Sequence, residues 1–319
     1  MLHGNEPARD SPGTETMPSD SSNDQYSSVF RPDLFKGKLA VVTGGGTGIG
    51  RCIAHELASL GATVAIWGRR AEPLEETAAE ILHDGGRAIT VTGDIRDEKM
   101  VGETVDGLIA THQRIDMLVN NAGGQFSALA NDISANGFDA VVRTNLLGGF
   151  LVAKACYAAS FHEHGGSVVN ITADHGRGIP FMAHSSASRA GMANLTRTLA
   201  VEWASAGVRV NAVAPGFVAS SGYDTYEGEP FHERLESLPR LTLAQRHGTE
   251  SEVSAAVTFL LSDAAAYITG QELLVGGGSD LMNGLLEIDH HDRLPAFNGF
   301  HRSSQPDILS ADGASDDGS

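Results

Sequence analysis

Short apolar runs alternate along this chain with longer segments in which apolar side chains recur every three or four positions. The first run, 39–43 (LAVVT), is followed by a glycine-rich turn and then by an amphipathic segment. A short apolar run bounded by glycine predicts a buried β-strand, and the wider spacing predicts an α-helix. Strands are predicted in this way at 39–43, 63–67, 88–92, 116–119, 167–172, 208–213 and 272–275.

The segments between these strands predict helices. The last of them begins with Thr249 and Glu252 at the spacing of a capping box. Most strands are apolar throughout, which a parallel sheet covered on both faces requires. Alternating strands and helices predict an α/β fold, a single doubly wound Rossmann-type domain with a seven-stranded parallel sheet and helices on both faces. The predicted helices are 48–60, 71–84, 97–112, 135–163, 185–206 and 250–262.

The composition changes at both ends of this pattern. Residues 1–28 are rich in Ser, Pro and Asp, and we expect a disordered tail. One domain then covers 29–286, and its irregular insertion 217–248 follows a strand, where a substrate lid is expected. Residues 287–319 form a partly disordered tail, although 294–302 (LPAFNGFHR) carries apolar groups that can dock.

Charge and cysteine content exclude several classes of partner. The formal charge of −18 argues against nucleic acid and anionic membranes. Cys52 and Cys156 fall on apolar helix faces and are expected to be buried thiols in a reducing compartment. The chain has no apolar run long enough to span a bilayer and no signal-peptide pattern, so we expect a cytoplasmic protein. No metal site is predicted.

The turn after the first strand predicts a phosphate site. Its glycines allow a pyrophosphate to approach bare backbone, and the helix that follows offers unpaired N–H groups and the positive end of its dipole. The pattern T-G-x-x-x-G-x-G resembles the cofactor turn of the short-chain dehydrogenase/reductase family. The resemblance implies a nicotinamide dinucleotide held by Thr43, Gly44, Thr47, Gly48, Ile49 and Gly50.

Two arginines at the end of the second strand indicate the cofactor. An acid there would bind the adenosine ribose and repel a 2′-phosphate. This chain has Arg69 and Arg70 instead, which offer a fork for a phosphate. We therefore predict NADP(H) rather than NAD(H); the alternative is that both arginines begin a solvated helix.

Further matches to the family follow along the chain. Asp94 with Ile95 resembles the adenine-side pair, although Asp94 can also be read as a turn residue capping the next helix. Asn145 matches an asparagine of the family's proton relay. The resemblance implies further cofactor contacts from Asn121, Ala122 and Gly123 of the NNAG motif, and from Pro215, Gly216, Val218 and Ser220.

The chain departs from the family where most members carry Tyr-x-x-x-Lys. Ser185 stands at the tyrosine position and Arg189 at the lysine position. Arg189 can still bind ribose hydroxyls, but a serine hydroxyl is a poor general acid. The family's partner serine corresponds to Thr172 by spacing and to Ala173 by motif position. Replacement proton donors are His175, His184, Tyr223 and Tyr226, and His184 is the best placed by sequence.

This departure itself resembles two branches of the family. NNAGGQF (120–126) and the AHSSASRAG segment resemble peroxisomal-type trans-2-enoyl-CoA reductases, and the overall layout from 27 to 309 resembles bacterial citronellol/citronellal dehydrogenases. The resemblance implies hydride transfer to or from an aliphatic substrate, as an enoyl-CoA reductase or an isoprenoid alcohol or aldehyde dehydrogenase in fatty-acid or acyclic terpene metabolism. The insertion offers few basic groups for a CoA arm, so both substrate types stay open.

An alternative is a catalytically inactive protein that binds the cofactor as a sensor or partner subunit. The helices at 135–163 and 185–206 carry broad apolar faces, which predicts a homo-oligomer, either a dimer or a tetramer.

Overall fold

Seven parallel strands form one sheet in the computed structural model, which describes residues 25–225, 235, 237–282, 286 and 288–309. Their order across the sheet is β3-β2-β1-β4-β5-β6-β7. Each predicted strand is confirmed to within two residues at either end, and the predicted α/β class is correct. The strands are β1 (Leu39–Thr43), β2 (Thr63–Gly68), β3 (Arg87–Thr92), β4 (Met117–Asn120), β5 (Gly166–Ile171), β6 (Val208–Pro215) and β7 (Glu272–Val275).

Helices cover the two faces of this sheet. One face packs against α1, α2 and α8, and the other against α3, α5 and α7, and each face buries its own apolar cluster. The capping box of Thr249 and Glu252 is confirmed at the start of α8. The helices are α1 (Gly48–Ser59), α2 (Ala71–His83), α3 (Glu98–His112), α4 (Ala135–Val142), α5 (Gly149–Cys156), α6 (His162–His164), α7 (Ala183–Glu202) and α8 (Glu250–Leu261).

The two edge strands are less buried than the prediction of a fully covered sheet requires. Strand β3 has only exposed and partly buried positions, and β7 likewise has no fully buried residue. An edge strand has a neighbour on one side only, so part of its surface faces solvent. The five inner strands are almost entirely buried, as predicted.

The long predicted helix at 135–163 contains two wider turns. Helical turns run from Ala135 to His164, but Arg143–Gly148 and Tyr157–Phe161 adopt π-helical geometry. A π segment accommodates an extra residue in one turn, and such segments are frequent at functional sites. The first one contains Asn145, so the wider turn sets the direction of that side chain.

The chain reverses direction across the sheet between β1 and β4. It runs from β1 outward to β3 and then returns to place β4 on the other side of β1. The loops that leave the carboxyl ends of β1 and β4 therefore diverge and open a crevice. The glycine turn and the NNAG motif both lie at this crevice.

The terminal segments are more ordered than predicted where the structure describes them. The predicted disorder of 1–28 concerns mostly residues outside the described part, but Tyr26 is buried and its ring lies 5.8 Å from that of Phe300. That contact corrects the prediction for 25–28, because an aromatic pair supplies the apolar anchor that the surrounding polar sequence lacks. Residues 310–319 also lie outside the described part.

Both cysteines are buried, as expected. Among the residues described, no helix is both long and apolar enough to cross a bilayer.

Candidate functional site

The glycine turn packs so tightly that side chains are excluded from it. A Cβ on Gly50 would lie 2.2 Å from the Gly44 carbonyl oxygen, and Gly44 and Gly48 adopt φ values of +67° and +55°. Thr47 precedes α1 without a side-chain cap, and the first turn of α1 contains no acid. The N–H groups of that turn therefore face the crevice and can receive an anion.

Thr43 and Asn121 hold the turn against β4. The Thr43 hydroxyl accepts hydrogen bonds from the backbone N–H groups of Asn121 and Ala122, both at 3.0 Å. The Asn121 amide donates to the carbonyl oxygens of Thr43 and Gly44 at 3.0 and 3.2 Å. These two predicted cofactor residues thus shape the turn from behind. Ile49 is partly buried and packs against the apolar cluster that includes α1.

A cavity of about 390 Å³ extends from the turn toward the ends of β2 and β3. Its dimensions and its bare backbone cradle fit the adenosine and pyrophosphate part of a dinucleotide. The predicted cofactor residues that line it are Gly44, Thr47, Arg69, Arg70, Asp94, Ile95, Ala122 and Gly123.

Three arginines surround the adenosine end of the cavity. Arg69 and Arg70 are exposed at the end of β2, as the sequence suggested. Arg96 also lines the cavity and grips Asp94 through two bonds of 2.5 and 2.9 Å. Hydrogen bonds from Arg96 hold the pKa of Asp94 at about 2, so this carboxylate stays ionised. Asp94 does not cap α3; Asp97 does, by accepting from the Met100 N–H.

Arg189 and Asn145 lie over Gly123 at the other end of the crevice. A Cβ on Gly123 would meet Arg189 Nη2 at 2.4 Å and Asn145 Oδ1 at 3.1 Å. Arg189 donates to the Ile171 carbonyl at 2.7 Å, which fixes its guanidinium at the end of β5. Asn145 accepts from the Gly124 N–H at 2.9 Å. A fixed positive charge therefore stands over Gly123.

Ser185 contacts Gln125 rather than solvent. Its side chain is fully buried in the first turn of α7, and its hydroxyl donates to Gln125 Oε1 at 2.5 Å. A glutamine amide also carries two N–H donors, so this contact brings donor groups next to the first turn of α7. Ser185 thus orients the side-chain amide of Gln125.

His184, the predicted replacement proton donor, is enclosed by its surroundings. Its side chain is fully buried, and its Nδ1 accepts from the Ser185 N–H at 2.7 Å. The ring of Phe126 closes over it at 4.3 Å. Burial lowers the pKa of His184, so the imidazole is neutral and enclosed. His184 lies within α7, because that helix starts two residues earlier than predicted.

Thr172 is not placed to act as the family's serine. Its buried hydroxyl donates to Glu272 Oε1 at 2.6 Å and to the Val213 carbonyl at 3.2 Å, so it points along the sheet toward β7. His175 lies 3.2 Å from the same Glu272 carboxylate. Both residues thus contact Glu272 on β7, and no local sequence pattern predicts these contacts.

The remaining predicted cofactor residues border the crevice at the end of β6. Gly216 approaches Gly276 so closely that a Cβ would lie 2.7 Å from the Gly276 Cα, and Pro215 ends β6. Val218 pairs with Gly248 and closes the base of the insertion 217–248. Ser220 lies over Gly48. Tyr223 is buried in this insertion, whereas Tyr226 and Arg234 lie outside the described residues.

Sequence reasoning missed two side chains of this site. Arg96 was overlooked although it stands two residues after Asp94, because only the motif pair was considered. Gln125 lies within a quoted motif, but its role depends on a contact with α7, sixty positions away in the chain. The only sequence signal was for Arg96, a basic residue shortly after β3; no local signal was available for Gln125.

Comparisons with known proteins agree with this geometry. A family model described as enoyl-(acyl carrier protein) reductase matches residues 44–280. The peroxisomal 2,4-dienoyl-CoA reductase of Danio rerio is 36% identical over 268 residues, which cover 83% of this chain and 89% of that protein. A solved structure of a citronellol catabolism dehydrogenase from Pseudomonas aeruginosa is 50% identical, with a TM-score of 0.70, and covers 80% of this chain and 99% of that chain.

A third similar protein contains a cofactor. A putative NAD(P)-dependent gluconate 5-dehydrogenase from Beutenbergia cavernae, solved with NADP at low occupancy, is 36% identical with a TM-score of 0.72. It covers 79% of this chain and is itself covered in full. With the sheet order, the glycine turn and these matches, the chain belongs to the short-chain dehydrogenase/reductase family of NAD(P)(H)-dependent oxidoreductases.

Proposed function

We propose that this chain is an NADPH-dependent reductase of a carbon–carbon double bond conjugated to the carbonyl group of an aliphatic acyl-CoA thioester. The observation that carries the proposal is the pair of Ser185 and Gln125, whose 2.5 Å bond occupies the position of the family's phenol. Alcohol oxidation needs a base at that position, but conjugate reduction mainly needs donors that stabilise a developing oxyanion.

The protein's part in this reaction is to bind and polarise the substrate. When bound, NADPH supplies the hydride. Negative charge then develops on the substrate carbonyl oxygen, and the Gln125 amide, oriented by Ser185, donates to it. The reduction is completed when a carbon of the resulting enolate takes up a proton from water. Ser185 is therefore a positioning residue, and Gln125 is the residue that contacts the reacting group.

Arg189 and Asn145 support the other side of the crevice. The Arg189 guanidinium, held by the Ile171 carbonyl, supplies donors to ribose hydroxyls and a positive charge. Asn145 ties the loop after Gly123 to α7, because it accepts from the Gly124 N–H and donates to Ser188. Both residues thus fix the relative positions of the cofactor cleft and the Ser185–Gln125 pair.

The choice of NADP(H) over NAD(H) is supported by charge. Arg69, Arg70 and Arg96 line the adenosine end of the cavity, and Asp94 is the one acid among the lining residues that the structure describes. Because Arg96 already neutralises Asp94, the local charge favours a 2′-phosphate.

A second candidate function is the oxidation or reduction of an acyclic isoprenoid alcohol or aldehyde. The 50% identity to a citronellol catabolism dehydrogenase favours it. This reaction needs a proton carrier at the substrate oxygen, and the described residues at Ser185 supply only a serine hydroxyl and an amide. Among the basic groups of the insertion, Arg246 is held by Glu252 and by the Leu294 carbonyl, so the site of a CoA arm is not settled by charge.

Parallel assays separate these candidates. NADPH oxidation is measured with crotonyl-CoA, longer 2-enoyl-CoAs and 2,4-dienoyl-CoAs, beside NADP⁺ reduction with citronellol. The proposal expects turnover of the thioesters. Turnover of the alcohol alone would refute it in favour of the second candidate, and NADPH binding without turnover of any substrate would indicate an inactive cofactor-binding protein.

A further inference from the structure

A buried carboxylate lies at the amino end of α1, where the cofactor pyrophosphate is expected. Glu250 is the first residue of α8, and its residue surface is 8% exposed. Its Oε1 lies 3.8 Å from the position that a Cβ on Gly48 would occupy, next to Ser221. Within the described part of the chain, no side chain or backbone group donates a hydrogen bond to this carboxylate. An acid at this position is unexpected, because the first turn of α1 is suited to an external anion.

The nearest cation does not belong to Glu250 alone. Arg51 lowers the pKa of Glu250, but its guanidinium makes two bonds of 2.8 and 2.9 Å to Glu80 and a third to the Arg302 carbonyl. Burial therefore dominates and raises the pKa of Glu250 to about 7. Free protein near neutral pH holds Glu250 partly ionised.

Other titratable groups lie near Glu250, and burial raises the pKa of Glu56 among them, although hydrogen bonds from Ser254, Ser28 and Tyr26 oppose that effect. Burial raises the pKa values of Cys52 and Tyr26, so both are protonated. Glu252 on the same helix is ion-paired with Arg246. Glu56, one turn further along α1, accepts from Ser28 and Tyr26. Ser220 and Ser221, from the loop after β6, carry no charge. The charged and titratable groups of the packed elements that interact with Glu250 are Arg51 and Cys52.

A pyrophosphate bound at the same helix end adds negative charge close to this carboxylate. Like charges in a partly desolvated site disfavour the ionised form of the weaker acid, and here that acid is Glu250. We propose that Glu250 takes up a proton when a dinucleotide binds at the glycine turn, so that cofactor affinity falls as pH rises. This inference rests on dinucleotide binding at the turn and not on the identity of the substrate.

The sign of the effect follows from linkage. The complex raises the pKa of Glu250 above its value of about 7 in the free protein. Between the two pKa values the complex holds more protons than the free protein, so Kd rises by up to about tenfold per pH unit. Below the pKa of the free protein, Glu250 is already neutral and contributes no pH dependence.

Titration calorimetry of the full chain with NADP⁺ tests this. Binding is measured near pH 8 in Hepes and in Tris, and the number of protons taken up is obtained from the dependence of the observed heat on buffer ionisation. At this pH the 2′-phosphate is fully ionised and does not contribute. We expect an uptake approaching one proton for the wild type and none for Glu250→Gln, which also binds NADP⁺ up to about tenfold more tightly. Glu103→Gln, an exposed change on α3, should behave as wild type.

If Glu250→Gln does not fold, binding of NADP⁺ by the wild type without proton uptake still overturns the inference. Binding with no proton uptake near pH 8, or equal uptake by wild type and Glu250→Gln, overturns the role of Glu250 and leaves the cofactor site intact. Absence of binding by both NADP(H) and NAD(H) overturns the dinucleotide site together with the inference.

Discussion

At the level of single residues, the site contains a fixed cation, Arg189, and a hydrogen-bonded pair, Ser185 and Gln125. Arg189 keeps a cation over Gly123, where a lysine stands in most family members. Ser185 cannot do the work of a phenol, but its bond to Gln125 fixes an amide donor at the same place. The guanidinium of Arg189 and the amide of Gln125 therefore lie on two different segments of the site.

The roles of Gln125 and Ser185 predict unequal effects of mutation. Gln125→Ala removes the donor to the developing oxyanion and should lower kcat by about a hundredfold. Ser185→Ala only loosens the orientation of Gln125 and should lower kcat by about tenfold or less, with an unchanged pH profile. Steady-state kinetics with an enoyl-CoA substrate measure both. A larger loss from Ser185→Ala, with a changed pH profile, would mean that the serine itself carries the proton.

Arg69 predicts cofactor preference. Arg69→Ser removes a donor to the 2′-phosphate and should raise the Kd of NADPH by about 10- to 100-fold, because a hydrogen bond to a charged group contributes about 1.5–3 kcal/mol. The Kd of NADH should stay nearly constant. Fluorescence titration measures both, with the exposed Arg197→Ser on α7 as the matched control. Equal weakening of NADH and NADPH would show that Arg69 supports the fold of the cleft and not the phosphate.

At the level of elements, the room for a side chain differs between glycines in different helices. Gly50 in α1 has no room for a side chain, since a Cβ would lie 2.2 Å from the Gly44 carbonyl oxygen. Gly107 in α3 has no atom within 4 Å of the same position. The sequence shows both as glycines in predicted helices, and only the packing distinguishes them.

Alanine at these two positions tests that distinction. Gly50→Ala should destabilise the protein by about 1–3 kcal/mol through overpacking and should abolish cofactor binding. Gly107→Ala should stabilise it by up to about 1 kcal/mol, because alanine favours the helix. Urea denaturation and a cofactor titration measure these effects. A stable Gly50→Ala variant that binds NADPH normally would contradict the tight turn.

The sequence predicted the elements well where local pattern decides them. The apolar run at 39–43 and the capping box at Thr249 are local signals, and both were correct. The two π-helical segments, Arg143–Gly148 and Tyr157–Phe161, were not predicted, because the 3.6-residue apolar pattern does not distinguish them from α-helix. Likewise, the orientation of Thr172 depends on Glu272, a hundred residues later in the chain.

At the scale of the whole molecule, the two terminal segments close over the back of α1. Phe300 is 2% exposed and contacts Tyr26 and His55, while Arg51 lies 5.0 Å above its ring. The Ser27 N–H donates to the Gly299 carbonyl at 2.8 Å. Sequence patterning recognised the apolar groups near Phe300 but had no means to find their partner, because the contact joins the two ends of the chain.

This closure makes stability sensitive to acid through His55. Burial lowers the pKa of His55 to about 4, although the hydrogen bond between its Nε2 and the Glu80 carboxylate opposes the effect. In the unfolded chain its pKa is about 6.5, so protonation favours unfolding. The contribution of His55 to the free energy of unfolding is therefore full above about pH 6.5. It falls by up to about 3 kcal/mol as pH decreases toward 4. Urea denaturation across this range should show a shallower decline of the free energy of unfolding for His55→Gln than for the wild type. The exposed control His164→Gln should show the same decline as the wild type. Parallel declines in wild type and His55→Gln would assign the acid sensitivity to other groups.

The central claim of the account is that hydride is delivered to a carbon of a conjugated double bond. The most direct measurement uses NADPH carrying deuterium at the transferred position with a 2-enoyl-CoA or 2,4-dienoyl-CoA substrate, and locates the deuterium in the product by NMR and mass spectrometry. The account predicts deuterium on a carbon of the former conjugated system, with the thioester carbonyl intact. Deuterium found only on a carbinol carbon, formed by reduction of an aldehyde such as citronellal, would contradict it.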